Sequence, residues 1–429
     1  MRKEYISDAL NLLDDTFIEE TDSLRSCCRM PQKNTILQKI YPCGVFGSVA
    51  GKYWKWAAVA ACLVLMVLAG GQMLLQKPSD TNQTVQTERL PMLSITGNTS
   101  DDMGFEGYMA YDISELINNN PWSETLQLSA LPVYQNQLSY DGAFNVSGAD
   151  FGKMREFLID IAERLGIDTS SLTITDDEPD EEEKQLTIEK LEGNIPEGYF
   201  NPTKLTAQTD GIEITVDRAM QAVVSFKPAI SLPKKYNFTD AASYEETVAV
   251  AEYLKEKYKD LIQMKNPQIN ICGGDYSKYD TRLQQEYQIE FYDKGESDID
   301  GMINYNFNQS AFHCHDDGKL YLVSICQPDL SQKMGDYPII NIEKAKELLQ
   351  KGNYITTVPY KLPGENFIAK TELVYRTGAR EEYFMPYYCF YVELPEEERD
   401  GLKTYGAYYV PAVEKEYLKN MPLWDGSFN

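Results

Sequence analysis

Nineteen consecutive residues without a charged side chain, Ala57 to Leu75 (AAVAACLVLMVLAGGQMLL), constrain this chain more than any other feature. As a helix rising about 1.5 Å per residue the run spans roughly 29 Å, close to the thickness of a bilayer's hydrocarbon core. It is preceded by Lys52, Tyr53, Trp54, Lys55 and Trp56. Such aromatic rings settle at the headgroup level and the two ammonium groups reach the phosphates, so these five residues are the expected membrane-interface collar. Arg25, Arg29, Lys33, Lys39, Lys52 and Lys55 stand on the N-terminal flank, against Lys77 and Arg89 beside Asp80 and Glu88 on the other. The positive-inside rule then places the N-terminus in the cytoplasm and the C-terminal part outside the cell membrane. A cleaved signal peptide would have a short basic start, not 55 residues ahead of its apolar run. Val59-Ala60-Ala61-Cys62 has the look of a lipoprotein cleavage box, but the main apolar stretch follows that cysteine.

Charge supports the same division. The whole chain of 429 residues carries a net charge of −26. Residues 1–55 hold eight Lys/Arg and seven Asp/Glu, whereas residues 76–429 hold 32 positive and 59 negative groups, net −27. So acidic a body is unsuited to nucleic acid, whose binding is driven by cationic side chains neutralising phosphates. The expected layout is a cytoplasmic head at 1–52, a transmembrane helix at 53–75 and a flexible stalk at 76–104. An exported unit at 105–235 and a second exported region at 236–429, divisible into two, complete it.

Within the head, Ile6, Leu10, Leu13 and Phe17 recur at helical spacing, which predicts an amphipathic helix over about 3–24. A lone apolar stripe on so short a segment fits a partner's groove, the membrane surface or the segment's own tail; as a partner-binding helix these four residues would make the contact. Cys27, Cys28 and Cys43 face the reducing side, where a structural disulfide is not expected.

In the exported part, three helices are expected, over 151–165, 243–262 and 342–350, each followed by strand-like runs. Asp210-Gly211 and Asp316-Asp317-Gly318 mark hairpin turns, and Gly352 marks the end of the third helix. INYNFN at 303–308 alternates like a strand. The expected class is α+β, with helices packed on antiparallel sheets in two or three units.

Candidate chemistry is sparse. His313 and His315 are the only histidines. Two apart on a strand they share a face, making them weak metal-ligand candidates without a third ligand in the motif, beside the alternative of two solvated rings. The run DDEPDEEE at 176–183 lacks the glycine of a tight calcium loop and reads as a solvated loop. Cys272, Cys314, Cys326 and Cys389 fall in apolar strand-like runs and read as buried free thiols. In particular, Cys314 should lie opposite about Tyr321, too far from Cys326 to pair with it. Tyr383, Tyr387, Tyr388, Tyr391, Tyr405, Tyr408 and Tyr409 read as strand residues with one polar end, the alternative being a stacking surface for sugars or peptides. No nucleophile elbow, HExxH or phosphate loop is present, so no catalytic residues and no cofactor are expected.

The opening ISDALNLLDDTFIEE, the collar-and-anchor KYWKWAAVAACLVLMV and the exported body together resemble single-pass, anti-sigma-factor-like regulatory proteins of Gram-positive bacteria. The likeness covers about the first 75 residues and is one of layout. It implies that the Ile6–Phe17 stripe holds a cytoplasmic protein, a sigma factor being the family's partner. The His-x-x-x-Cys-x-x-Cys motif of zinc-containing anti-sigma domains is absent. Separately, YPIINIEKAKELLQKGNY and the strands after it resemble PepSY-type modules. The expected function is therefore a bitopic signalling or regulatory protein, with an extracytoplasmic domain that binds an unidentified ligand and a cytoplasmic helix that binds a partner. The alternatives are a membrane-anchored surface binding module without a signalling role, or a surface hydrolase or inhibitor.

Overall fold

The computed structural model describes residues 89–97, 106–138, 150–191, 198–279, 282–378 and 380–428, with the single positions 148, 193 and 195. The head stripe Ile6, Leu10, Leu13 and Phe17, the collar Lys52–Trp56 and the apolar run lie outside the described residues. Among the described residues no helix is long and apolar enough to cross a membrane.

From the N-terminal side the body runs β1 (Gly107–Ala110), β2 (Ala130–Gln135), α1 (Phe151–Arg164), β3 (Ile174–Asp176) and α2 (Glu181–Lys190). A meander follows, β4 (Lys204–Thr209), β5 (Ile212–Asp217) and β6 (Gln221–Ser231), then α3 (Tyr244–Lys257) and α4 (Lys259–Ile262). Next come β7 (Pro267–Tyr279), β8 (Arg282–Asp293), α5 (Asp298–Phe307), β9 (Gln309–Cys314), β10 (Lys319–Cys326), β11 (Lys333–Pro338) and α6 (Ile342–Gln350). The last stretch is β12 (Ile355–Thr356), β13 (Ile368–Tyr375), β14 (Tyr383–Phe384), β15 (Pro386–Glu393) and β16 (Lys403–Pro411).

These strands form three antiparallel sheets, and they correct the expected α+β class. An eight-stranded sheet is ordered β3-β4-β5-β6-β10-β9-β8-β7; a second sheet runs β1-β16-β15-β13 with β12 on β16; a third runs β11-β2-β14. The body is predominantly β, and the helix-then-strand units do not exist as separate packages. Strands read as belonging to two units merge into one sheet because β6 pairs with β10, Val224 opposite Val323, across the expected boundary at 235/236. Local periodicity reports each strand but not its partner, so hairpin-sized segments looked like independent units. The INYNFN stretch is also not a strand: its first five residues, Ile303–Phe307, are the second half of α5. Its alternation mimics period two, yet Ser297 Oγ accepts from Asp300 N at 3.1 Å, and Asp298 and Asp300 sit in the first turn, where the helix dipole favours acids. Residues 89–97, inside the expected stalk, are packed: Leu93 is fully buried and bridges Leu418.

Other local signals carry through. Asp150 Oδ1 accepts from Lys153 N and caps α1, Ser243 and Glu246 form a reciprocal capping box on α3, and Asn341 caps α6, which ends before Gly352 at φ +83°. Helices α1, α3 and α4 cover one face of the eight-stranded sheet. Met154, Phe157, Leu158 and Ile161 of α1 and Val250 and Leu254 of α3 meet Ile214, Val224, Ile289 and Phe291 there. Each such side chain withdrawn from water contributes about 1.5–3 kcal/mol before entropy is counted.

The opposite face of that sheet is joined to the second sheet by a polar seam. Ile117 pairs with Gly273 through two backbone hydrogen bonds, Asn119 N donates to Asn270 Oδ1 at 2.8 Å, and Asn270 Nδ2 donates to Glu290 Oε2 at 2.8 Å. Asn118 Nδ2 donates to Glu372 Oε1 at 2.7 Å, and Lys370 Nζ lies 2.7 Å from the same oxygen. Buried polar atoms retain a favourable free energy only when partnered, so this chain of contacts fixes how the two sheets meet.

A cleft where the large sheet splits

Strands β8 and β9 pair only from Tyr292 opposite Gln309 to Ile289 opposite Phe312. Beyond that point β8 continues with β7 alone (Gln288 opposite Cys272, Tyr287 opposite Gly273), and β9 continues with β10 alone (His313 opposite Leu322, Cys314 opposite Leu320). The two strands part, and both outer partners carry a bulge next to the split, between Gly273 and Tyr276 on one side and Leu320 and Leu322 on the other. A bulge bends its strand and increases local twist, which pulls the strand pair apart. Gly273 and Gly274 take φ of +110° and +88°, the left-handed region that glycine enters without strain. A Cβ on Gly274 would stand 1.9 Å from the carbonyl oxygen of Glu115, so the bulge is seated against the turn carrying that residue.

The gap is a cleft of about 320 Å³, walled on its open side by the loop that leads into α3. Carboxylates of Asp240, Glu286 and Asp316 and rings of Tyr287, Phe312 and Tyr321 line it, together with both histidines. No Lys or Arg is among the described lining residues. This volume sits at the small end of the range of ligand pockets, and the wall mixes polar and apolar surface in nearly equal parts, more polar than such pockets usually are.

The side chains in the cleft differ in chemical readiness. Cys314 Sγ donates to Asp240 Oδ1 at 3.5 Å. Burial, with the negative Asp240 second, pushes this thiol well up from its ordinary value, so it stays protonated. A protonated thiol in an acidic setting is a hydrogen-bond donor rather than a nucleophile. His315 stacks on Tyr321, ring centroids 4.2 Å apart at 16°, and His313 Nε2 lies 3.4 Å from Ser324 Oγ. The two candidate metal ligands thus share one cleft. Among the described residues, however, no group of three or more His, Cys, Asp or Glu is placed to hold a metal ion.

The other singled-out residues lie elsewhere. Cys272, Cys314, Cys326 and Cys389 are free thiols, but only Cys389 is buried and the other three are half-buried; Cys314 pairs with Leu320, one residue from the expected Tyr321. In the acidic run, Asp177 accepts from Thr203 N, Thr203 Oγ1 and Lys204 N, while Asp180 caps α2, whose first turn is Glu181–Glu183. Part of the expected solvated loop is therefore a helix start, where acids are favoured. Of the tyrosine group, Tyr387, Tyr405 and Tyr408 are at most 1% exposed, and Tyr388 and Tyr408 donate to the carbonyls of Ile340 and Tyr360.

Sequence reasoning missed Asp240 and Glu286, which come to the histidines from 73 and 27 positions before His313 in the chain. The signal that could have drawn attention was the Gly273-Gly274 pair inside a strand, the usual mark of a bulge or a close backbone approach. No protein-family model matches the sequence, and no curated protein matches it.

Proposed function

We propose that residues 89–428 are the ligand-binding, extracytoplasmic part of a single-pass membrane regulatory protein. The cleft carries the binding reading: it is an open space of about 320 Å³ lined by acidic, histidine and aromatic residues, set where two strands of a large sheet part. The orientation rests on the sequence, in which an uncharged span of 19 residues separates a near-neutral, basic-flanked head from a body of net charge −27. Cys314 is held protonated and the histidine rings lie against Tyr321 and Ser324, an arrangement that favours recognition over nucleophilic chemistry. In this reading Ile6, Leu10, Leu13 and Phe17 hold a cytoplasmic protein, a sigma factor being the first candidate, and occupancy outside alters that contact inside.

The partner half is tested by placing a photo-crosslinking amino acid at Leu10 or Phe17 of the full-length protein in cells. A single discrete adduct that disappears when Ile6 and Leu13 are changed to aspartate is the expected result. Adducts only with lipid, or a pattern unaffected by those substitutions, would leave the head as a membrane-surface segment and end the signalling reading.

A further inference from the structure

We infer that the cleft between β8 and β9 is selective for a small organic ammonium ion, one with a protonated amine on an apolar, ring-sized body. The inference rests on the cleft being a binding site and adds the chemical class of its occupant.

Three observations lead to it. The first is charge. The carboxylates of Asp240, Glu286 and Asp316 come from three separate segments: the loop before α3, strand β8, and the turn after β9. A fourth acid, Asp275 on β7, is close enough to Glu286 for the two charges to interact. None of the described residues lining the space is Lys or Arg. His313 and His315 aside, the ionisable side chains that can carry full charge in the lining are acids, and a site dominated by one sign of charge raises the local concentration of the opposite sign and disfavours its own.

The second is the hydrogen-bonding arrangement. Cys314 is a neutral donor to Asp240 Oδ1 at 3.5 Å, so it adds no charge of its own beside that carboxylate. This leaves a carboxylate with further lone pairs at the wall of the cleft as an acceptor for an N–H.

The third is shape and surface. Tyr287, Phe312 and Tyr321 contribute to the lining beside these acids, Phe312 from the core and Tyr321 with His315 stacked on its ring, and the cavity of about 320 Å³ accommodates a ring and a short chain. Aromatic faces carry negative electrostatic potential and attract ammonium groups, whereas they offer nothing extra to an anion of the same shape. A phosphate or carboxylate ligand would need cationic side chains or convergent backbone N–H groups, and a metal ion would need a third clustered ligand.

The test uses three probes of nearly equal shape and different charge: 2-phenylethylammonium, neutral 2-phenylethanol and anionic phenylacetate. Each is titrated calorimetrically against the full-length protein in nanodiscs at neutral pH. The ammonium should bind at least tenfold more tightly than the alcohol, and the carboxylate should not bind. The pair Asp240→Asn and Glu286→Gln should weaken ammonium binding at least tenfold with an unchanged circular dichroism spectrum. Asp317→Asn, on the exposed turn beside the cleft, should leave it unchanged. Equal binding of ammonium and alcohol, or tighter binding of the carboxylate, overturns the charge selectivity while the cleft remains a binding site. Binding of none of the three removes the cleft as a site and takes the binding reading of the body with it.

Discussion

Replacing Arg376 with alanine should destabilise the body by about 3–5 kcal/mol, the usual cost of removing one partner from a buried ion pair. Arg376 Nε lies 2.9 Å from Glu381 Oε1; the arginine side chain is 21% exposed and the glutamate that its removal would orphan is 4% exposed. The guanidinium carbon is 5.7 Å from the ring centroid of Tyr387 and 5.4 Å from that of Tyr409, so the cation lies against two aromatic rings as well as being paired. Burial pushes the Glu381 carboxyl up even against the pull of Arg376; without the arginine it would have to take up a proton or stay charged in an apolar setting. The double change Arg376→Met with Glu381→Leu removes both charges and keeps apolar volume, so it should recover most of the loss. Urea midpoints of the wild type, the single variant and the double variant decide the matter. Equal losses in the single and double variants would show that packing around the guanidinium, and not an orphaned carboxylate, sets the effect.

The second large effect is a dependence on pH. Burial pushes the carboxyls of Asp275 and Asp217 up to about 6 from an ordinary value near 3.8, Glu286 adding to the rise at Asp275. At Asp217 burial outweighs two backbone donors, Ala219 N at 2.8 Å and Gln221 N at 3.0 Å. Between about 4 and 6 the folded body therefore holds protons that the unfolded chain has released. Stability from these groups is complete below the lower value and is lost as pH rises through the upper one. At 1.36 kcal/mol per tenfold change, the penalty at neutral pH is at most about 3 kcal/mol for each group. Asp275→Asn removes one of the two, so it should raise the denaturation midpoint at pH 8 by that order and change it little at pH 4. An equal shift at both pH values would contradict the assignment. Asp329 acts in the opposite sense: against its burial, the hydrogen bonds from Lys153 and Ser331 hold its carboxyl low, and that contribution is lost only in acid.

What could be read in the sequence follows the range of the interactions involved. Helix α6 was expected over 342–350 and is found over Ile342–Gln350, because its cap Asn341, its apolar spacing and its terminating Gly352 are all contiguous in the chain. The hairpin at 316–318 was legible for the same reason: Gly318 N donates to the carbonyl of His315 within the turn. The class was misjudged because sheet membership is decided by pairings such as β6 with β10, separated by nearly a hundred residues, and by the isolated contact of Leu93 with Leu418. Nothing in a local window records those. The cleft shows the same division. Its histidines stood out as the only two in the chain, while Asp240 and Glu286 are two among 66 acidic residues and acquire meaning only where the strands part. The pair of Arg376 and Glu381 carries no local signal, since their five-residue spacing is not that of a helix pair.

The central proposal is that one protein carries a small basic-flanked head on the cytoplasmic side of the membrane and the cleft-bearing acidic body on the other side. The most direct measurement treats intact cells expressing the full-length protein with a membrane-impermeant, amine-reactive reagent and maps the modified lysines by mass spectrometry. Lys234, Lys235, Lys415 and Lys419 are exposed on the body. The account predicts that these four are modified in intact cells, whereas Lys33 and Lys39 are modified only after lysis. Protection of the body lysines until lysis, or modification of both sets in intact cells, would contradict it.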